Sequence, residues 1–222
     1  MEKETRIALS WLKENEIIAN PEKFHALLLR KNQVNTSGEE ININGNTIKS
    51  EDTVKLLGVT LDYKLNFDPH ISNICKKAAT QLNVLKRLKK FIGFKEKKIL
   101  VQSFVYSNFD YCPLVWYFSS CKSLQKIEKL QERALRFLYN DNASSYSDLL
   151  SKSNKCTMHV ALQRLLCIEI FKTLNHLNPP FMQSIFKLRS SNYSLRNPNN
   201  LAHVRPNQTT FGAKSLMSIG MG

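Results

Sequence analysis

Between Ile71 and Lys98 the chain carries nine lysines and arginines against a single carboxylate, Glu96. Ile71, Ile74, Ala78, Leu82, Leu85 and Leu88 recur there at three- and four-residue steps, the spacing of one buried helix face. Lys76, Asn83, Arg87 and Lys90 fall on the opposite face, with Lys77 and Lys86 flanking it. A cation stripe with almost no compensating carboxylate suits one chemistry in particular. Each lysine or arginine that neutralises a phosphate releases condensed counterions, and contacts to the backbone hold a duplex without reading its sequence. Lys76, Lys77, Lys86, Arg87 and Lys90 are therefore the candidate nucleic-acid-binding residues.

Other reactive side chains form no comparable pattern. The five cysteines are Cys75, Cys112, Cys121, Cys156 and Cys167, an odd number with no CxxC, which suits free thiols in a reducing compartment. Cys156, His159, Cys167 and His176 could be drawn as a zinc site. The intervening Met158, Val160, Leu162, Leu165 and Leu166 read instead as a core-facing helix, and structural zinc favours tighter paired spacings. No Walker loop, G-x-S-x-G or H-E-x-x-H is present.

Charge divides along the chain. Residues 1–66 hold 9 basic and 10 acidic side chains, whereas residues 67–222 hold 23 and 8, so the overall charge of +14 resides in the second part. With a pI near 9.6, this balance points to a polyanionic partner, nucleic acid rather than a membrane surface. The first residues carry acidic groups and no apolar run, unlike a secretory signal. No stretch approaches the ~18 apolar residues of a membrane span, and an intracellular protein of nucleus or cytoplasm is expected.

The elements that must position these groups suggest an α+β chain. Arg6–Asn15 has helical spacing, and Phe24–Leu29 reads as a buried strand. Asn44-Gly45 between Ile41–Ile43 and Thr47-Ile48 is a hairpin signal. Val54–Leu61 reads as one buried strand with Gly58 as a bulge, where a residue without a side chain allows close backbone approach. Asp68-Pro69 then opens the basic helix, which Gly93 is expected to end. Lys95–Phe118 reads as a second helix kinked or broken at Pro113, its aromatic residues serving mainly as core. A third helix follows over Leu124–Leu138, with Lys122, Lys126, Lys129, Arg133 and Arg136 around its polar side. Asp141–Ser147 is a connector, Leu149-Leu150 and Met158–Leu177 add helix up to Asn178-Pro179-Pro180, and little regular structure is expected past Leu188. The expected domains are 1–66, 67–140, 141–188 and a poorly ordered tail, 189–222.

The stretch KLLGVTLDYKLNFDPHI resembles the segment that leads from palm to thumb in non-LTR (LINE-like, jockey-type) retrotransposon reverse transcriptases. WLKENEIIANPEKFHALLL is similar to the end of the palm in that family. FDYCPLVWYFSSCKSLQKIEKLQERALRFLY and RPNQTTFGAKSLMSIG look like its post-polymerase region. The resemblance covers nearly all of the chain and implies the palm edge, thumb and post-thumb helices of such an enzyme. It implies that Leu57 and Gly58 form the primer grip. It also implies that Lys23 lies near the phosphates of the incoming nucleotide: Asn20 and Lys23 match an N-x-x-K-T element in which Phe24 or His25 stands where threonine is expected.

Polymerases of this family hold two Mg²⁺ ions on aspartates, because two-metal chemistry clamps the attacking and leaving oxygens. No Asp-Asp pair occurs in this sequence. The resemblance then implies a fragment that binds no cofactor itself, Mg²⁺ belonging to the full-length polymerase along with the missing palm and fingers. Such a fragment, inactive alone, would grip the RNA–DNA primer–template backbone. The alternative is a non-enzymatic basic helical module that binds structured RNA or an acidic protein.

Overall fold

The computed structural model describes residues 2–30, 35–43 and 45–183, an α+β chain that divides into two units at Pro69/His70. In the first unit, α1 (Glu2–Glu14) is amphipathic, yet its Trp11 remains 57% exposed. Asn20 then caps a short 3₁₀ turn, Pro21–Lys23, by accepting the Glu22 backbone N–H at 3.0 Å. The strand expected over Phe24–Leu29 is absent: that segment makes no ladder, only an isolated parallel bridge from Ala26 to Ser50. Lone apolar runs need a ladder partner to become strands, and this one has a single bridge.

Among the described residues, two separate antiparallel hairpins make up the β structure. Strands β1 (Glu40–Ile43) and β2 (Asn46–Lys49) pair Ile41 with Ile48, as the Asn44-Gly45 signal implies; Asn44 itself lies outside the described residues. The stretch 54–61 is not one bulged strand. It is a second hairpin, β3 (Thr53–Leu56) with β4 (Val59–Asp62), closed by the two-residue turn Leu57-Gly58. Both turn residues have left-handed backbones, φ +45° and +87°, the geometry whose twist matches the flanking strands.

Unit two is helical. α2 (Asp68–Arg87) buries Ile71, Ala78, Leu82 and Leu85 at seven-, four- and three-residue steps. It stops three residues short of Lys90, and Leu88 is 45% exposed rather than core. Gly93 is not the stop either: in extended conformation it precedes α3 (Phe94–Leu100). The expected helix over 95–118 is several pieces. α3 runs into a π-helical segment (Val101–Tyr106) and α4 (Ser107–Asp110), Cys112 turns left-handed at φ +45°, and α5 (Pro113–Trp116) follows. The break lies just ahead of Pro113, where the ring disfavours helical backbone in its predecessor.

α6 (Cys121–Tyr139) is the central helix. Its Ser120 cap accepts the Ser123 N–H, and Asn140 closes its other end in left-handed conformation. Leu135 of α6 packs with Leu149 and Leu150 of α7 (Tyr146–Ser153), which starts with a Ser145/Asp148 capping box. Most of the aromatic residues between 104 and 118 are core: Phe109 and Trp116 are fully buried, and the Trp116 indole donates to the Tyr111 carbonyl at 3.3 Å. α8 (Met158–Leu174) buries Leu162 and Leu166 but leaves Val160 and Leu165 exposed, so it is only partly a core helix; α9 (Pro180–Gln183) follows. The tail 189–222 lies outside the described residues.

Candidate nucleic-acid interface

The cations of α2 do not stand alone. Lys126 of α6 bears electrostatically on the Cys75 thiol of α2, and Arg133 donates to the Asn83 side chain at 3.4 Å. Just beyond both helices, the Lys89 ammonium donates to Asn140. The two in-helix contacts, with Lys89 and Asn140 beyond them, follow the same order along both helices, so α2 and α6 run in the same direction, bridged by side chains rather than closely packed.

α6 brings its own stripe. Lys122, Lys126, Lys129, Arg133 and Arg136 recur at steps of four, three, four and three, which keeps them on one helix face. Asn83, at the centre of the stripe expected on α2, is the residue Arg133 reaches. Lys76 and Arg87 share that face, and Lys86 borders it. Lys77 does not: six residues before Asn83, it points about 120° away around the helix. Lys90 lies in the turn beyond α2 and is not fixed by helical geometry.

At the C-terminal end of this seam Lys86, Lys89, Arg133, Arg136 and Asn140 line a cleft of about 290 Å³. Arg136 is already committed, bonding Glu132 at 2.6 Å and the Ser144 carbonyl at 3.1 Å. Among the described residues, Lys76, Lys86, Arg87 and Arg133 have no carboxylate partner. Partial burial, and then the neighbouring Arg133 charge, hold the Lys86 ammonium below the ordinary lysine value. Cations crowded in this way lower each other's pKa, and a polyanion relieves the repulsion.

The α2 stripe of this candidate site stands out in the sequence, whereas the α6 cations read there only as the polar side of a helix. The signal was available in the 4-3-4-3 spacing of α6's cations, although their adjacency to α2, some fifty residues away, is a tertiary fact.

The remaining candidates lie in the first unit. Leu57 is 83% exposed at its hairpin tip beside exposed Gly58. Lys23 is exposed at the end of its 3₁₀ turn, and the neighbouring His25 bonds Glu51 at 2.6 Å. Among the described residues no group of His, Cys, Asp and Glu could hold a metal ion, and no helix is long and apolar enough to cross a membrane. No family model, curated protein or solved structure matches this chain.

Proposed function

We propose that this chain grips a nucleic-acid duplex through its phosphate backbone, with the α2–α6 seam as the grip. In this reading it is the thumb-bearing part of a LINE-like RNA-directed DNA polymerase. The side-by-side placement of two cation stripes is the observation that carries the reading. A single basic helix face is commonly just solvated, whereas two parallel helices sharing one seam concentrate unpaired charge along a line, as a phosphate backbone does. The sequence resemblance supplies the enzyme class. Leu57-Gly58 then seats the primer end, Lys23 serves the incoming nucleotide's phosphates, and the aspartates with their Mg²⁺ belong to another part of the polymerase.

A salt titration on an RNA–DNA hybrid tests this. Log affinity falls with log salt by roughly 0.7–0.9 per phosphate contact. The variant Lys76→Gln/Arg87→Gln/Lys126→Gln/Arg133→Gln, drawn from both helices, should flatten that slope by about three units. Lys77→Gln should leave it unchanged. Gly58→Val should keep the slope but lose preference for a recessed 3′ end over a blunt duplex. If the fourfold variant is folded and keeps the wild-type slope, the duplex binds elsewhere. Tight binding to an acidic protein with no measurable hybrid binding would favour the interaction-module alternative.

A further inference from the structure

A second site lies on another side of α6, away from the cation seam. α3, the π-helical segment and the C-terminal half of α6 border a half-open pocket of about 350 Å³, within the size range of about 300–1,000 Å³ usual for small-molecule sites. Its walls are largely apolar, formed by Ile99, Val101, Leu135 and Leu138 with the ring of Tyr139. Two cations, Lys98 and Lys155, line it, and no carboxylate does.

Tyr106 links these features. It is 5% exposed, it lines the cavity, and its hydroxyl has no hydrogen-bond partner among the described residues. Buried hydroxyls are nearly always satisfied, so one beside a cavity and uncommitted to other protein groups is available to donate to what the cavity holds. Burial is also the main reason its pKa is raised, which keeps it a neutral donor. The Lys155 ammonium stands 4.1 Å from the centre of the Tyr106 ring and 3.5 Å from Gln102 Oε1. A second cavity of about 260 Å³ shares Gln102, Tyr106 and Lys155. The wall residues Val101, Gln102 and Tyr106 all belong to the π-helical segment, a wide turn that is rare in proteins and frequent at binding sites.

We propose that this cavity binds a small amphipathic monoanion, a flat apolar body with one carboxylate. The body rests on Ile99, Leu135, Leu138 and Tyr139, while the carboxylate meets Lys155 and Lys98 and accepts the Tyr106 hydroxyl. A monoanion fits better than a dianion because Asp110 already offsets part of the Lys155 charge. Neither the seam nor a duplex is involved, so the proposal stands apart from the nucleic-acid reading.

The probe is 2-naphthoate, titrated into the full chain by calorimetry and by amide NMR. One-site binding is expected, with shifts centred on residues 98–106 and 134–139. The neutral analogue 2-naphthalenemethanol should bind at least about tenfold more weakly, the loss expected for one charge-assisted contact. Lys155→Met should lose about the same factor, and so should Lys98→Met, an exposed position that carries the test if the first variant fails to fold. Tyr106→Phe should weaken binding several-fold without lowering the melting temperature, whereas Lys122→Met should bind as wild type. Equal affinity for acid and alcohol, shifts centred on the exposed face of α8, or unchanged binding by a folded Lys98→Met variant would each overturn the assignment.

Discussion

Replacing Asp62 with alanine should open the turn that joins β4 to α2 and leave the helical unit intact. Asp62 is 5% exposed, and its carboxylate accepts three backbone N–H groups: Lys64 at 3.0 Å and Asn66 at 3.3 Å on Oδ1, and Phe67 at 2.7 Å on Oδ2. The same turn holds Leu65 and Phe67 at φ +48° and +60°, left-handed conformations that cost side-chain-bearing residues roughly 1 kcal/mol or more each. Such a backbone persists only while something over-determines it; here the Asp62 carboxylate supplies three hydrogen bonds, beside the Leu65 N–H on the Asp62 carbonyl at 2.8 Å and the Asp68 N–H on the Asn66 side chain at 3.1 Å. Hydrogen bonds to a charged group contribute about 1.5–3 kcal/mol each. Water reaches this half-buried turn, which favours the low end, so the alanine variant should lose about 4 kcal/mol locally. Asp62→Asn keeps the two bonds to Oδ1 but can set an NH₂ against the Phe67 N–H, and should lose about 1.5–2 kcal/mol.

Amide hydrogen exchange on the full chain reads both values. At 1.4 kcal/mol per tenfold, protection at Lys64, Asn66 and Phe67 should fall about a thousandfold in the alanine variant and ten- to thirtyfold in the asparagine variant. Ile127, Leu130 and Ala134 in α6 serve as internal controls and should not change. Protection within threefold of wild type at the three turn amides of Asp62→Ala would refute the reasoning, because the carboxylate would then not be what holds the turn.

Two further outcomes follow from perturbed titrations. Burial pushes the Cys75 thiol up to about 11, with the nearby Lys126 charge opposing the rise. Pulsed iodoacetamide at pH 8 should therefore label exposed Cys112, Cys121 and Cys167 well before Cys75; Lys126→Gln should slow Cys75 further, and peptide mass mapping checks both. The N–H and hydroxyl of Ser144 are the main groups holding the Asp141 carboxyl down at about 2. A depressed carboxylate adds stability that is complete above its unfolded value near 4 and is lost as pH falls through 2. Asp141→Asn should thus melt below wild type at pH 7, with the gap closing between pH 4 and pH 2 in thermal scans.

Much of the helical unit could be read from sequence because local signals agree there. The apolar spacing over 124–138 recovers α6 to within three residues of its observed ends, and Ser120 and Asn140 supply its caps. Other features left no such trace. The Leu57-Gly58 hairpin looks like a bulged strand in sequence because its first turn position carries leucine, where asparagine, aspartate or glycine would announce a left-handed residue. The π-helical segment was hidden for a different reason. Val101, Phe104 and Val105 suit any wide apolar helix face, and the hydrogen-bond shift requires no particular residue type. For the candidate site, the cations of α2 were legible, but the partner stripe depended on which helix packs beside it.

That pairing also determines how much positive charge the seam can offer a polyanion. Parallel helices place both negative C-terminal ends together, at the cleft lined by Lys86, Lys89 and Arg133. Each helix end carries about half a negative charge, so the two offset about one of these three cations; Arg136 adds nothing net, because Glu132 neutralises it. Roughly two positive charges remain there, enough to hold a phosphate. Toward the opposite end, Lys122 lies in the first turn of α6, where the partial positive charge of the helix end reinforces its own, while Lys126 and Lys76 sit further along their helices with no helix-end charge offsetting theirs. The attraction is therefore spread along the seam instead of concentrated in the cleft. A continuous backbone can use that distribution over its length, whereas a single small anion could use only one end of it.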